Sequence, residues 1–232
     1  MCGRTSISKK EIELEKRFKA KFAISELEKY HELPLFNIGP SMSVPIITAD
    51  EPDKIQWVKW GFIPSWASDN KATPPQINAR KESVLEKPYF REAIQKRRCL
   101  VLLDGYFEWK VVNKATRIPY FIHLKNNEAF AVAGIYEKWN ETNAFSLITQ
   151  EPNDSLTKVH DRMPAILLPE QEKLWLDKAK TGKESVSLIY PYPQEKMNFY
   201  TVSKRLNGTF NNDPKLLIPT PYDSVAKQEN LF

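Results

Sequence analysis

The chain opens "MCGR", and Cys2 is the residue whose type and place suggest chemistry first. If Met1 is trimmed, as is usual before a small side chain, Cys2 carries an α-amine and a thiol on one residue. An aldehyde can be captured twice by such a group. The amine attacks to give an imine, and the thiol, one Cβ away, closes a five-membered thiazolidine. The second step is intramolecular and gains from effective concentration. The amine must be neutral to attack, and the reference pKa of about 7.7–8.0 leaves a minority neutral at pH ~7. Like charge from Arg4 or His160 nearby would lower that pKa. The scheme calls for an exposed aminothiol.

Proton-transfer and positioning groups are the next requirement. Glu108 stands among Tyr106, Phe107 and Trp109 in "DGYFEWK". Aromatic surroundings desolvate a carboxylate and raise its pKa, which suits a general acid or base. An outward position on an alternating strand is the plainer use. His160, in "KVHDRMP" beside Asp161 and Arg162, is either a proton carrier or a surface histidine. His31 and His123 read as structural. In "INARKES", Asn78 and Arg80 lie two apart and share a face of an extended segment. An amide beside a guanidinium fits a sugar hydroxyl and a phosphate, surface capping being the alternative. Lys87, Arg91, Lys96, Arg97 and Arg98 crowd the following stretch as a solvated helix face would. "WVKWGFIPSW" gathers Trp57, Trp60, Phe62 and Trp66 around Gly61 and Pro64, either as core or as a platform for unpaired bases.

These residues need a scaffold. "SKKE" reads as a capping box with Ser8 as N-cap and Glu11 reaching back, followed by an apolar stripe of Ile12, Leu14 and Phe18 and a second helical stretch, "SELEKYHEL". Beyond "LPLFNIGPS" the texture is of strands: "SVPIIT", "IQWVKWGF", "CLVLLDGYFEW", "PYFIHL", "AFAVAGIYEKW" and "AFSLITQ". "MPAILL" adds an apolar segment, and a helix starts near "PEQEKLWLDKA" with Pro169 in its first turn and Gly182 past its end. Strands in series with few helices between them predict an α+β fold with a curved, barrel-like, mostly antiparallel sheet flanked by helices. The expected domain is single, over residues 1–232, with the tail "YDSVAKQENLF" loosely held.

Bulk composition narrows the function classes. The chain has 232 residues, 41% of them hydrophobic, enough for a sizeable core, and a net charge of +5, compatible with a polyanionic partner. Two cysteines are too few for a disulfide framework, and Cys99 in "RRCLVLL" reads as a buried thiol, so a reducing compartment fits. No Cys-x-x-Cys or His-x-x-x-His pairing predicts a metal site, and no glycine-rich phosphate loop predicts a nucleotide cofactor. No signal segment stands out, and no apolar run approaches the ~20 residues needed to cross a bilayer. The expected protein is soluble and intracellular.

The ordered set "MCGR", "FNIGPS", "WGFIPSW", "INARKES", "LLDGYFEW" and "VHDRMP" resembles the SRAP (SOS response-associated peptidase-like) family, from Cys2 to the "TVSKRLN" segment ending at residue 207. The resemblance implies a single α+β domain that senses abasic sites in single-stranded DNA and cross-links to them through Cys2. It implies Asn78, Glu108 and His160 as further catalytic residues. Arg4, Arg80 and Arg162 match arginines expected to hold DNA phosphates, and Trp66 matches an aromatic wedge loop that would suit a single-strand to double-strand junction. Lys87 and Arg91 add to the expected DNA surface in a less regular stretch. Gly39 stands where alanine is common. The implied protein acts as a monomer, without cofactor or membrane, in the cytoplasm at the nucleoid, or in a nucleus. Two alternatives stay open: a thiol peptidase, with Met1 alone preceding Cys2, and a non-covalent binder of modified DNA.

Overall fold

Fourteen strands and a few short helices follow one another in the computed structural model, which describes residues 2–23, 33–67, 73–139 and 142–227. The strands are β1 (Arg4–Ile7), β2 (Lys21–Phe22), β3 (Leu35–Ile38), β4 (Ser43–Thr48), β5 (Lys54–Trp60), β6 (Asn78–Arg80), β7 (Arg98–Leu103), β8 (Gly105–Val111), β9 (Arg117–Leu124), β10 (Phe130–Trp139), β11 (Thr142–Gln150), β12 (Met163–Pro164), β13 (Ile166–Leu167) and β14 (Met197–Thr201).

Five of them close on themselves. β5, β4, β7, β10 and β11 pair antiparallel in that order, and β11 returns to β5 in parallel, making a mixed barrel. Closure removes the unpaired edges of an open sheet. β7 is buried at every position, which is why its sequence is almost continuously apolar rather than alternating. The helix Pro169–Leu176 covers it, with Trp175 Nε1 donating to the Cys99 carbonyl at 2.9 Å. A second sheet of five strands, in the order β14-β9-β8-β1-β3, stands against the barrel. This is the α+β, barrel-like architecture that the strand series predicts.

The run read as one strand, "CLVLLDGYFEW", is two. It breaks at Asp104, where the chain leaves the barrel as β7 and enters the second sheet as β8. Asp104 is buried and accepts from Ser6 Oγ at 2.8 Å and from both the N–H and the Oγ of Ser8, the latter at 2.6 Å. Ser8 is therefore no helix cap. A buried carboxylate needs donors more than a helix end open to solvent does. The helix starts later, at Glu11–Phe18, and Glu13 reaches back to the Lys10 N–H at 2.9 Å. Leu14 faces the core, but Ile12 is exposed. Two residues apart on a helix is about 200°, so they cannot share a stripe. Gly182 does not end the helix that begins at Pro169. It opens the next one, Gly182–Ser187, capped by Thr181.

The basic stretch also differs from a solvated helix face. Residues 81–92 form turns, and only Ala93–Lys96 is helical. Arg98 is fully buried, donating to the carbonyls of Ile94, Gln95, Trp175, Asp177 and Lys180, so it stitches two helix ends together. Cys99 and His123 are buried as expected. The stretch "SELEKYHEL", with His31, falls largely outside the described residues. Within the tail, Tyr222–Lys227 is a short helix with Val225 buried. No helix among the described residues is long and apolar enough to cross a membrane.

Gly105 marks the tightest point of the second sheet. A Cβ there would lie 2.2 Å from the Phe121 ring and 2.9 Å from Ser6 Oγ. Phe121 cannot swing away, because Phe107 and Tyr200 pack on it. Gly105→Ala should lower stability by about 1–3 kcal/mol, read as a lower urea midpoint at unchanged slope; an unshifted midpoint would refute this packing.

Candidate functional site

Cys2 is placed by β1. Arg4, Thr5 and Ser6 pair with Phe107, Tyr106 and Gly105 of β8, and β3 pairs on the other side. The first residues of a chain ordinarily fray; these lie inside a sheet. Across the seam, β6 hangs on the barrel through its parallel pairing with β11. Ala79 points inward and is buried, so Asn78 and Arg80 point the other way, as their spacing predicts. Asn78 Nδ2 donates to the Cys2 carbonyl at 2.7 Å. That bond joins the two sheets at the candidate nucleophile.

Glu108 and His160 complete the group. Glu108, on β8, is buried, and its Oε2 lies 3.6 Å from His160 Nε2. A small shift or one water brings this pair within proton-transfer distance. His160 Nδ1 lies 3.0 Å from the Arg162 N–H and 2.9 Å from Asp161 Oδ1. The two contacts ask for opposite protonation of Nδ1. The backbone donor is fixed, whereas the Asp161 side chain is 86% exposed and free to turn to water. Nδ1 is therefore the acceptor, and Nε2 carries the proton toward Glu108.

Burial tunes these groups. It raises the Glu108 pKa to about 7, with the Asp161 charge adding to the effect. It lowers that of His160, so the imidazole is neutral at pH ~7 and is not the like charge expected beside the amine. Cys2 is fully buried, contrary to the exposed aminothiol expected from the sequence. Burial first, and then the Glu108 charge, raise its thiol well above the ordinary value. The sulfur thus stays protonated, 3.8 Å from the Arg4 carbonyl.

The arginines divide. Arg4 is half-buried and donates from Nη1 to Asn37 Oδ1 at 2.7 Å. A Cβ on Gly39 would sit 3.6 Å from Arg4 Nε, ordinary contact, so alanine fits there equally well. Arg80 is exposed. Arg162 is not: it is buried, forks onto Glu82 at 3.0 and 2.9 Å and donates to the Thr149 carbonyl at 2.7 Å. Its guanidinium is occupied in holding the loop that carries His160. Trp66 is 59% exposed with its ring edge-on to Tyr89 at 5.9 Å, and the exposed Lys87 and Arg91 flank Tyr89 in the chain. Trp57, Trp60 and Phe62 are core.

A sequence profile described as SOS response associated peptidase (SRAP) matches residues 1–209. The chain belongs to the SRAP family. It is 38% identical over 224 residues to YoqW of Bacillus subtilis, described as an abasic site processing protein, covering 94% of this chain and 99% of that one. Rat HMCES, with the same description, is 30% identical over 241 residues, covering 84% of this chain and 67% of its own. A crystal structure from Bacteroides thetaiotaomicron superposes with a TM-score of 0.86 at 34% identity, over 95% of this chain and 100% of the other. Every residue of the Cys2 cluster falls within the SRAP span.

Three participants escape a reading of the sequence: Asn37, Glu82 and Tyr106. Asn37 is a buried amide in the apolar run "LFNI", a signal that was present. Tyr106 shares a face of β8 with Glu108 and is nearly fully buried, which raises its pKa. Glu82 carries no local mark, because its partner is 80 residues away.

The raised Glu108 pKa fixes a stability trend. Between the ordinary value of 4.5 and about 7, the folded state holds a proton that the unfolded state has lost, so stability falls as pH rises. Glu108→Gln should gain on wild type over that range, approaching about 3 kcal/mol above it. Urea melts at several pH values check this; a gap independent of pH would contradict it.

Proposed function

We propose that this chain captures abasic sites in single-stranded DNA as a covalent thiazolidine on Cys2, once Met1 has been removed. The observation that carries the reading is the placing of Cys2, its carbonyl held by Asn78, against the buried Glu108 and its partly exposed neighbour His160. The description of its relatives as abasic site processing proteins supports the substrate.

The chemistry follows from the protonation states. An abasic deoxyribose opens to an aldehyde at C1′. The neutral Cys2 amine adds to C1′, giving a carbinolamine. Glu108, with a pKa near neutrality, hands a proton to the departing hydroxyl, and water leaves to form the imine. His160 relays protons to and from Glu108. The thiol then adds across the C=N bond, sulfur to C1′ and its proton to nitrogen. Aldehyde plus aminothiol thus becomes thiazolidine plus one water. A thiol that burial keeps protonated suits the second step rather than the first. Arg4 and Arg80 supply phosphate contacts, which are salt-sensitive and indifferent to sequence. Arg162 contributes by holding His160 in place.

Incubation with a single-stranded oligonucleotide containing one abasic site should yield a protein–DNA band that survives denaturation. Cys2→Ala should give no stable adduct. Equal adduct from that variant, or full retention of Met1 in the cellular protein by intact mass, would end the proposal. Glu108→Gln should slow adduct formation by about 10²-fold or more and remove the inflection of the rate near pH ~7. An unaltered pH profile would move the acid–base role to another group.

A further inference from the structure

Phe210 is completely exposed, one residue beyond the SRAP span. A single exposed apolar side chain is ordinary. What sets this one apart is the turn beneath it. Asn37 Nδ2 donates to the carbonyls of Leu206, Gly208 and Asn211 at 3.3, 3.1 and 2.9 Å. The Oδ1 of the same side chain accepts from Arg4. Asn207 Oδ1 accepts from Trp109 Nε1 at 3.0 Å, and Trp109 adjoins Glu108. Asn211 Nδ2 donates back to the Arg205 carbonyl at 2.6 Å, and Arg205 pairs with Asp213 at 2.8 Å. Even Gly208 is constrained: a Cβ there would lie 2.6 Å from Asn211 Nδ2. The turn is thus rigid, and it is fastened to the residues that flank Cys2 and Glu108.

We infer that Phe210 is a stacking platform for an unpaired nucleobase beside the abasic site. The inference rests on the reading of this site as one that takes single-stranded DNA. One amide, Asn37, fixes both a cation and the base of the turn that carries an aromatic ring. Phosphate matches the cation and a base face matches the ring, the pairing by which proteins hold single strands. A base next to an abasic position has also lost a stacking neighbour, so one of its faces is open. A ring carried on a rigid turn offers that face a partner with the backbone already ordered.

The test uses the full chain and single-stranded DNA carrying a tetrahydrofuran abasic analogue, which has no aldehyde and cannot be cross-linked. Phe210→Ala should weaken binding by roughly 5- to 100-fold, as loss of one base stack does, and Phe210→Trp should restore it. A 2-aminopurine placed beside the analogue should be quenched by wild type and by Phe210→Trp, but not by Phe210→Ala. Wild-type affinity and quenching in Phe210→Ala would overturn the platform. So would a change of oligomeric state with DNA binding intact, which would give the ring to a contact between copies. If wild type binds the analogue through Phe210 yet never cross-links true abasic DNA, the covalent chemistry fails and the platform stands.

Discussion

The pairing of β1 with β8 is the constraint on which the rest depends. It draws Arg4–Ser6 into a sheet beside Gly105–Phe107, and so fixes a thiol that would otherwise ride on a loose terminus. The strand is locked at its far end by Asp104, which takes donors from Ser6 and Ser8, and at its near end by Asn78, which takes hold of the Cys2 carbonyl from the opposite sheet. A residue held at both ends needs little further ordering for any reaction it enters.

The seam between barrel and second sheet divides the labour. The second sheet supplies Cys2 and Glu108; the barrel side supplies Asn78 through β6 and His160 through the loop before β12. Each element reaches the seam because a polar group of another element holds it there. Arg162 is the clearest case. It closes a fork on Glu82, binds the Thr149 carbonyl of β11, and offers its own N–H to His160. Removing Glu82, itself half exposed, would leave the buried Arg162 guanidinium short of a partner and loosen the histidine loop.

Burial gives the site its protonation states. Ordinary carboxylates are ionised at neutral pH, and Glu108 in water would be too; only desolvation brings it to about 7. The same desolvation keeps the Cys2 thiol protonated and the histidine neutral. A site made of an uncharged thiol, a neutral imidazole and a half-protonated acid carries little fixed charge of its own. The cations that favour a polyanion lie at its margin, at Arg4 and Arg80.

The sequence by itself determined most of the scaffold. Runs such as "SVPIIT" and "AFAVAGIYEKW" read as strands because β-branched and aromatic residues suit the pleated surface, and their succession without intervening helices implied a barrel-like sheet. "INARK" declared its face by the two-residue period alone. Glu108 among aromatics foretold a raised pKa, although of those neighbours only Tyr106 shares its face of β8, Phe107 and Trp109 packing on the other. What lies far apart along the chain was left to the tertiary structure. Asp104 diverts Ser8 from capping, Glu82 claims Arg162, five carbonyls bury Arg98, and Asn37 ties Arg4 to the turn that carries Phe210. A local pattern records which residues suit a helix, a strand or an aqueous surface. Whether a charge meets a phosphate or a carboxylate of the same chain depends on which partner the fold brings near, and that partner leaves no mark in the neighbouring sequence.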